Sequence, residues 1–205
     1  GTPIGSEDCL KLNIFAPAFA TGAVPKGDSR LPVMVYVHGG GNMVGYANQF
    51  KYSGTQLAHT HNVIVVTFNY RLGPFGWFSH PALNNGGSAE DQSGNYGNLD
   101  SIRALAWVQN NIEAFGGNPD NVTLFGESAG GMNTFVLLAS PLAEGLFHKA
   151  IIQSGITTKT TPLSEAQNYV NRVEEILQTP VGFVSVGPER SQTIVHNSKT
   201  EGLDK

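Results

Sequence analysis

Val122-Thr123-Leu124-Phe125-Gly126-Glu127-Ser128-Ala129-Gly130-Gly131 is the stretch on which the fold turns. Strand-favouring residues run directly into Gly-x-Ser-x-Gly, and a helix-compatible run from Met132 to Leu138 follows. That order predicts a strand, a sharp turn and a helix, with Ser128 held in a cramped backbone conformation at the C-terminal edge of a sheet. Side chains at positions 126 and 130 are expected to collide with neighbouring backbone, so both positions call for glycine. The helix that begins at the serine lends partial positive charge to anything bound in front of it. A bare Gly-x-Ser-x-Gly is weak by itself in a chain with 25 glycines. An ordinary glycine-rich turn carrying an ordinary serine fits it too.

A second stretch changes the balance. Leu31-Pro32-Val33-Met34-Val35-Tyr36-Val37 reads as a buried strand and ends in His38-Gly39-Gly40-Gly41. A nucleophile turn of this kind is completed by a His-Gly-Gly-Gly type loop, whose backbone N–H groups face the same point as the serine. Two independent motifs, each ending a hydrophobic strand and standing in the right order, point to a serine hydrolase.

Composition sets the outer limits. The chain has 205 residues, enough for a substantial core, with 40% hydrophobic and only 14% charged residues. Few charges and many glycines suit an α/β protein with buried parallel strands. The net charge is −4 and no Lys/Arg run exists, so nucleic acid and anionic membrane are poor partners. No apolar run approaches the ~20 residues that span a bilayer. The single cysteine, Cys9, has neither an intrachain partner nor the neighbours of a metal site. No metal and no cofactor is expected. Gly1-Thr2-Pro3 is neither a signal peptide nor an initiator methionine, so the chain reads as starting inside a longer protein.

Along the chain, Leu10, Leu12 and Ile14 alternate with polar residues as a half-buried strand, and residues 18–30 form a surface turn. Residues 42–52 form a loop over the site, Ser53 to Thr60 a short helix, and residues 63–68 the clearest buried strand. Residues 73–98 are a long Gly/Pro-rich connection. Asn98 or Asp100 is expected to cap a helix to about Phe115, with Ile102, Leu105, Val108, Ile112 and Phe115 as its apolar stripe. Ala150 to Gln153 is another short strand, and Ser164-x-x-Gln167 opens a helix to about Leu177. The expected architecture is α/β, a mainly parallel sheet of about five strands flanked by helices, over residues 1–178. Residues 179–205 are expected to be a poorly ordered tail. A sheet of that size also predicts an uncovered edge and a tendency to aggregate.

These motifs together resemble the type B carboxylesterases, a group of α/β-hydrolases that includes para-nitrobenzyl esterases and cholinesterases. Ser6-Glu7-Asp8-Cys9-Leu10-x-Leu12-Asn13 is similar to one signature of that family, and Phe125 to Gly131 to the other. His38 to Gly41, Asn69-Tyr70-Arg71-Leu72-Gly73 and Phe115-Gly116-Gly117-Asn118-Pro119 also fit. The resemblance covers residues 5 to about 178 and implies a partial α/β-hydrolase fold. It implies Ser128 as nucleophile and the backbone N–H groups of Gly40, Gly41 and Ala129 as the oxyanion hole. Glu127 resembles the acidic residue beside the nucleophile, an electrostatic support outside the triad, and His38 is expected to fix the glycine loop by hydrogen bonds. The implied substrate is a small-molecule ester, cleaved through an acyl-enzyme. The resemblance also implies an upstream cysteine for Cys9, which this chain lacks.

The triad order of the resemblance is serine, then Asp/Glu, then histidine. His38 belongs to the glycine loop; His59, His61 and His148 stand before strands, at the end remote from the site; His80 lies in the long connection. Only His196 follows late enough, with Glu189 the one acid in order before it, and its surroundings do not look like the family's histidine loop. The acid and histidine are therefore expected beyond this chain, which alone is expected to be weakly active or inactive. The rival reading is a non-catalytic esterase-like binding module. Among singled-out residues, Trp107 is expected in the core or at its rim, and Trp77 and Phe78 beneath the acyl region. Asn121-Val122-Thr123 forms a glycosylation sequon that opens a buried strand, where modification is not expected.

Overall fold

The computed structural model describes residues 6, 8–77, 88–155, 183–185 and 193–195. The strands are β1 (Leu12–Phe15), β2 (Leu31–Val37), β3 (Ile64–Phe68), β4 (Gly117–Glu127), β5 (Lys149–Gln153), β6 (Phe183–Ser185) and β7 (Thr193–Val195). They form one sheet in the order β1-β3-β2-β4-β5-β6-β7. β3, β2, β4, β5 and β6 run parallel, while β1 and β7 pair antiparallel at the two edges. The five expected strands are all present. The two three-residue strands beyond them lie within the expected tail, whose other residues fall outside the described set. The expected helix 164–177, His80, His196, Glu189, Phe78 and Glu7 also lie outside the described residues.

Side-chain alternation sorts the sheet into two faces. Val33 and Val35 of β2 stand in register with Ile64 and Val66 on one side and Val122 and Leu124 on the other, and Val37 continues the same face; all are fully buried. That face is covered by α3 (Tyr96–Asn111), through Leu105, Val108 and the following Ile112, and by Leu137 of α4 (Ala129–Ala139). The opposite face carries Val65, against which Gly54 at the start of α1 (Thr55–His61) packs so closely that a β-carbon there would stand 2.5 Å from the Val65 β-carbon. Helices thus lie on both faces. Burying each of these aliphatic side chains contributes about 1.5–3 kcal/mol before the cost of ordering the chain.

The long helix starts earlier than an Asn98 or Asp100 cap predicts. α3 begins at Tyr96, with Asn95 in the cap position, after a short α2 (Ala89–Gln92). Asn98 and Asp100 are buried inside the first turns and cap nothing. Asp100 has a stronger partner: its carboxylate accepts from the Arg71 backbone N–H at 2.9 Å and from the guanidinium Nε and Nη2 at 2.8 Å each. The apolar stripe is buried at Leu105, Val108 and Ile112. It fails at Phe115, 41% exposed, because the chain tightens into a 3-10 turn from Ile112 and rotates that ring outward. Trp107 is half-buried at the core rim, its ring 6.2 Å from that of Phe115.

Candidate active site

The register of β2 against β4 builds the site. Val37 pairs with Gly126 in neighbouring parallel strands, so both chains leave the sheet at the same edge and the next residues advance together. Two positions on, Gly39 meets Ser128. A β-carbon at Gly39 would stand 3.2 Å from that of Ser128 and 2.7 Å from the Glu127 carbonyl oxygen. Parallel open sheets gather ligand-binding groups at this edge for the same geometric reason.

Ser128 is a half-exposed residue at φ 55°, ψ −123°, between β4 and α4. That region is strained for a residue with a β-carbon. The strain is held in place from three sides. The Ser128 N–H donates to the Gln153 carbonyl at 2.8 Å, and the Ser128 carbonyl accepts the first bond of α4, from Met132, at 2.9 Å. The turn itself requires glycine at both flanks: a β-carbon at Gly126 would overlap the Gly130 carbonyl, and one at Gly130 would overlap the Val37 carbonyl. Among the described residues, the Ser128 hydroxyl has no hydrogen-bond partner.

The glycine loop lies beside it. Gly40 at φ +123° and Gly41 at φ +63° occupy conformations that side chains rarely adopt, and the Gly40 carbonyl accepts from Met43 and Val44, at 3.1 Å each. Among the described residues, no acceptor takes the N–H of Gly40 or of Gly41. Ala129 opens α4, so its N–H is one of the donors a helix leaves unused at its start. These free donors and the serine share one edge of the sheet, a combination suited to holding a negatively charged oxygen beside a nucleophile.

His38 is 1% exposed. Its Nδ1 lies 2.9 Å from the Gly39 carbonyl oxygen. A carbonyl only accepts, so Nδ1 carries the proton and Nε2, buried without a partner among the described residues, is the bare nitrogen. Its ring stacks on Tyr70 at 4.4 Å, and Trp77 meets Tyr70 edge-on at 5.8 Å. Burial pushes the His38 pKa below its ordinary 6.5; the Gly39 bond opposes that and the Lys51 charge adds to it. Glu127 ends β4 as an exposed residue with its carboxylate oxygen near Gly39. His59 and His61 are exposed at the end of α1, and His148 accepts the Val122 N–H at 3.2 Å where β5 begins. All three sit at the far edge of the sheet, as the strand order predicts.

Some contributors carried no sequence signal. Asn42 and Asn133 exchange side-chain hydrogen bonds across the site, and Gln153 holds Ser128 from β5. Tyr70 lay inside a recognised motif, but nothing local tied it to His38. A separate groove of about 240 Å³ lies between α3 and α4, lined by residues such as Leu99, Ile102 and Val136, and does not include Ser128. The free donors, not the concavity, mark the site. Among the described residues, no helix is long and apolar enough to cross a membrane.

The Carboxylesterase family matches residues 1–198. Carboxylesterase 1C of Rattus norvegicus is 52% identical over 155 residues, 76% of this chain and 26% of that protein. Para-nitrobenzyl esterase of Bacillus subtilis (strain 168) is 50% identical over 159 residues, 78% of this chain and 30% of that protein. A solved PNB esterase superposes with a TM-score of 0.64 at 48% identity, over 82% of this chain and 32% of the other. The chain spans about a quarter to a third of the length of these relatives.

Proposed function

The chain belongs to the carboxylesterase family, and from that premise we propose that it carries the nucleophile and the oxyanion-binding donors of a serine-dependent carboxylic ester hydrolase. The observation that supports this reading is the strained Ser128, set against Gly39 at the sheet edge where the glycine loop and α4 begin, with no hydrogen-bond partner for its hydroxyl among the described residues. A serine with no catalytic duty gains nothing from a strained backbone that glycine would relieve.

In the proposed reaction a histidine takes the Ser128 proton as Oγ attacks the ester carbonyl carbon. The carbonyl π pair moves onto oxygen, and the three N–H groups stabilise that oxyanion. Loss of one such donor typically costs about 2.7–4 kcal/mol at the transition state. The tetrahedral intermediate collapses, the C–O bond to the alcohol breaks, and the imidazolium returns its proton to the leaving alkoxide. Water then cleaves the acyl-enzyme by the same route. The base and its acid partner are assigned to segments outside the described residues, since His38 is committed to Gly39 and His59, His61 and His148 lie at the opposite edge of the sheet. The substrate class is a small-molecule ester; no cofactor enters the scheme.

Fluorophosphonate labelling of the full-length protein tests this. Stoichiometric modification at Ser128, abolished in Ser128→Ala, is the expected result. A folded protein that takes up no label supports a non-catalytic binding module instead and overturns the proposal.

A further inference from the structure

Asn42 directly follows the glycine loop. Asn133 sits four residues after Ala129, one turn along the same face of α4. Their side-chain amides meet: Asn42 Nδ2 donates to Asn133 Oδ1 at 3.3 Å, and Asn133 Nδ2 donates to Asn42 Oδ1 at 2.9 Å. Each amide gives and accepts, so the pair fixes one mutual orientation. Asn133 is 2% exposed, and a buried amide that loses its partner carries an unsatisfied-group penalty. We infer that this pair is a latch that sets the gap between the N–H groups of Gly40 and Gly41 and that of Ala129, making Asn42 and Asn133 positioning residues for the oxyanion. The inference rests on the ester-hydrolase reading of Ser128.

The need for a latch follows from what else holds the loop. Its near end is pinned where Gly39 packs on Ser128. Its far end is tied by the Gly73 N–H to the Asn42 carbonyl at 2.6 Å, but Gly73 stands beyond β3 and not on the helix that bears Ala129. Between these points lie two glycines without side chains, and among the described residues nothing comes within 4 Å of where a β-carbon of Gly41 would be. Glycines are the residues least able to hold a conformation alone. Asn42 itself adopts φ 58°, a left-handed conformation that asparagine tolerates better than most residues and that turns its side chain toward α4.

The test compares Asn42→Ala, Asn133→Ala and the double variant of the full-length protein, with Asn111→Ala as control; Asn111 Nδ2 donates to the Trp107 carbonyl at 2.8 Å at the C-terminal end of α3, which leads into the start of β4 at the opposite end of the sheet. Hydrogen exchange is read at the Met43 and Val44 amides, which bond the Gly40 carbonyl. Both single variants are expected to exchange about 5- to 30-fold faster there, with no further gain in the double variant. Labelling of Ser128 by fluorophosphonate is expected to slow about 10- to 100-fold, whereas the control changes neither. Faster exchange with unchanged labelling leaves the pair purely structural and overturns the inference, as do additive effects in the double variant. Should Asn133→Ala not fold, Asn42→Ala, on the less buried side, decides alone. A parent protein that takes no label overturns the hydrolase reading itself, a result distinct from labelled parent and variants reacting at one rate.

Discussion

The Tyr70 hydroxyl donates a hydrogen bond to the His38 carbonyl while the two rings stack 4.4 Å apart at an interplanar angle of 18°. One aromatic side chain thus holds the residue that leads into the glycine loop by both its backbone and its ring. His38 in turn bonds the Gly39 carbonyl, which belongs to the same peptide unit as the Gly40 N–H. Hydrogen bonding at that carbonyl orients and polarises the N–H on the other side of the peptide.

Tyr70→Phe keeps the ring and removes the donor. The His38 carbonyl is then buried without that partner, and the variant is expected to be less stable by about 1–3 kcal/mol in urea unfolding. Labelling at Ser128 should slow as well. Unchanged stability would show that the carbonyl finds another donor.

Ser128→Gly and Ser128→Ala both lose fluorophosphonate labelling, but they part in stability. Glycine accepts φ 55°, ψ −123° without strain, so Ser128→Gly is expected to be more stable than Ser128→Ala by about 1 kcal/mol. Equal urea midpoints would mean the turn stores no strain.

Gly130→Ala places a β-carbon on the Val37 carbonyl, where strand and helix have no room to part. A loss of about 3 kcal/mol is expected. Gly22→Ala is the comparison: φ is +78° but nothing lies within 4 Å, so only the backbone conformation costs, about 1 kcal/mol. Thermal melts of the two variants should differ accordingly.

The pH dependence follows from His38. Its folded-state pKa is lowered, mainly by burial, so below its ordinary 6.5 the unfolded chain takes up a proton before the folded one does. This contribution is complete above that pH and lost as pH falls through the window beneath it, at up to about 1.4 kcal/mol per pH unit. Urea unfolding of the parent and His38→Asn at pH values from about 5 to 8 isolates the share, because the variant lacks it. Parallel stability curves would remove His38 as the source.

Much of the site was legible because its constraints are local. Gly126, Ser128 and Gly130 lie within five residues, and the sharp turn writes its needs into that span. The strands on either side announce themselves by runs of apolar residues, which mark β2, β3 and the 122–125 segment of β4, whereas the polar start of β4 at Gly117 carries no such run. Helix starts were less legible. Asp100 has the chemistry of a cap, yet a guanidinium from a residue 29 positions away claims its carboxylate.

The sequence alone therefore determined the strand–turn–helix at Ser128, the glycine loop after β2 and the parallel sheet that carries both, because backbone sterics and hydrophobic periodicity act between near neighbours. Only the tertiary structure decided that Gly39 faces Ser128, that Tyr70 holds His38, and that Asn42 pairs with Asn133 across 91 positions. Those contacts depend on strand register and helix rotation. A short polar side chain carries no periodic signal of which distant partner that register will bring within 3 Å.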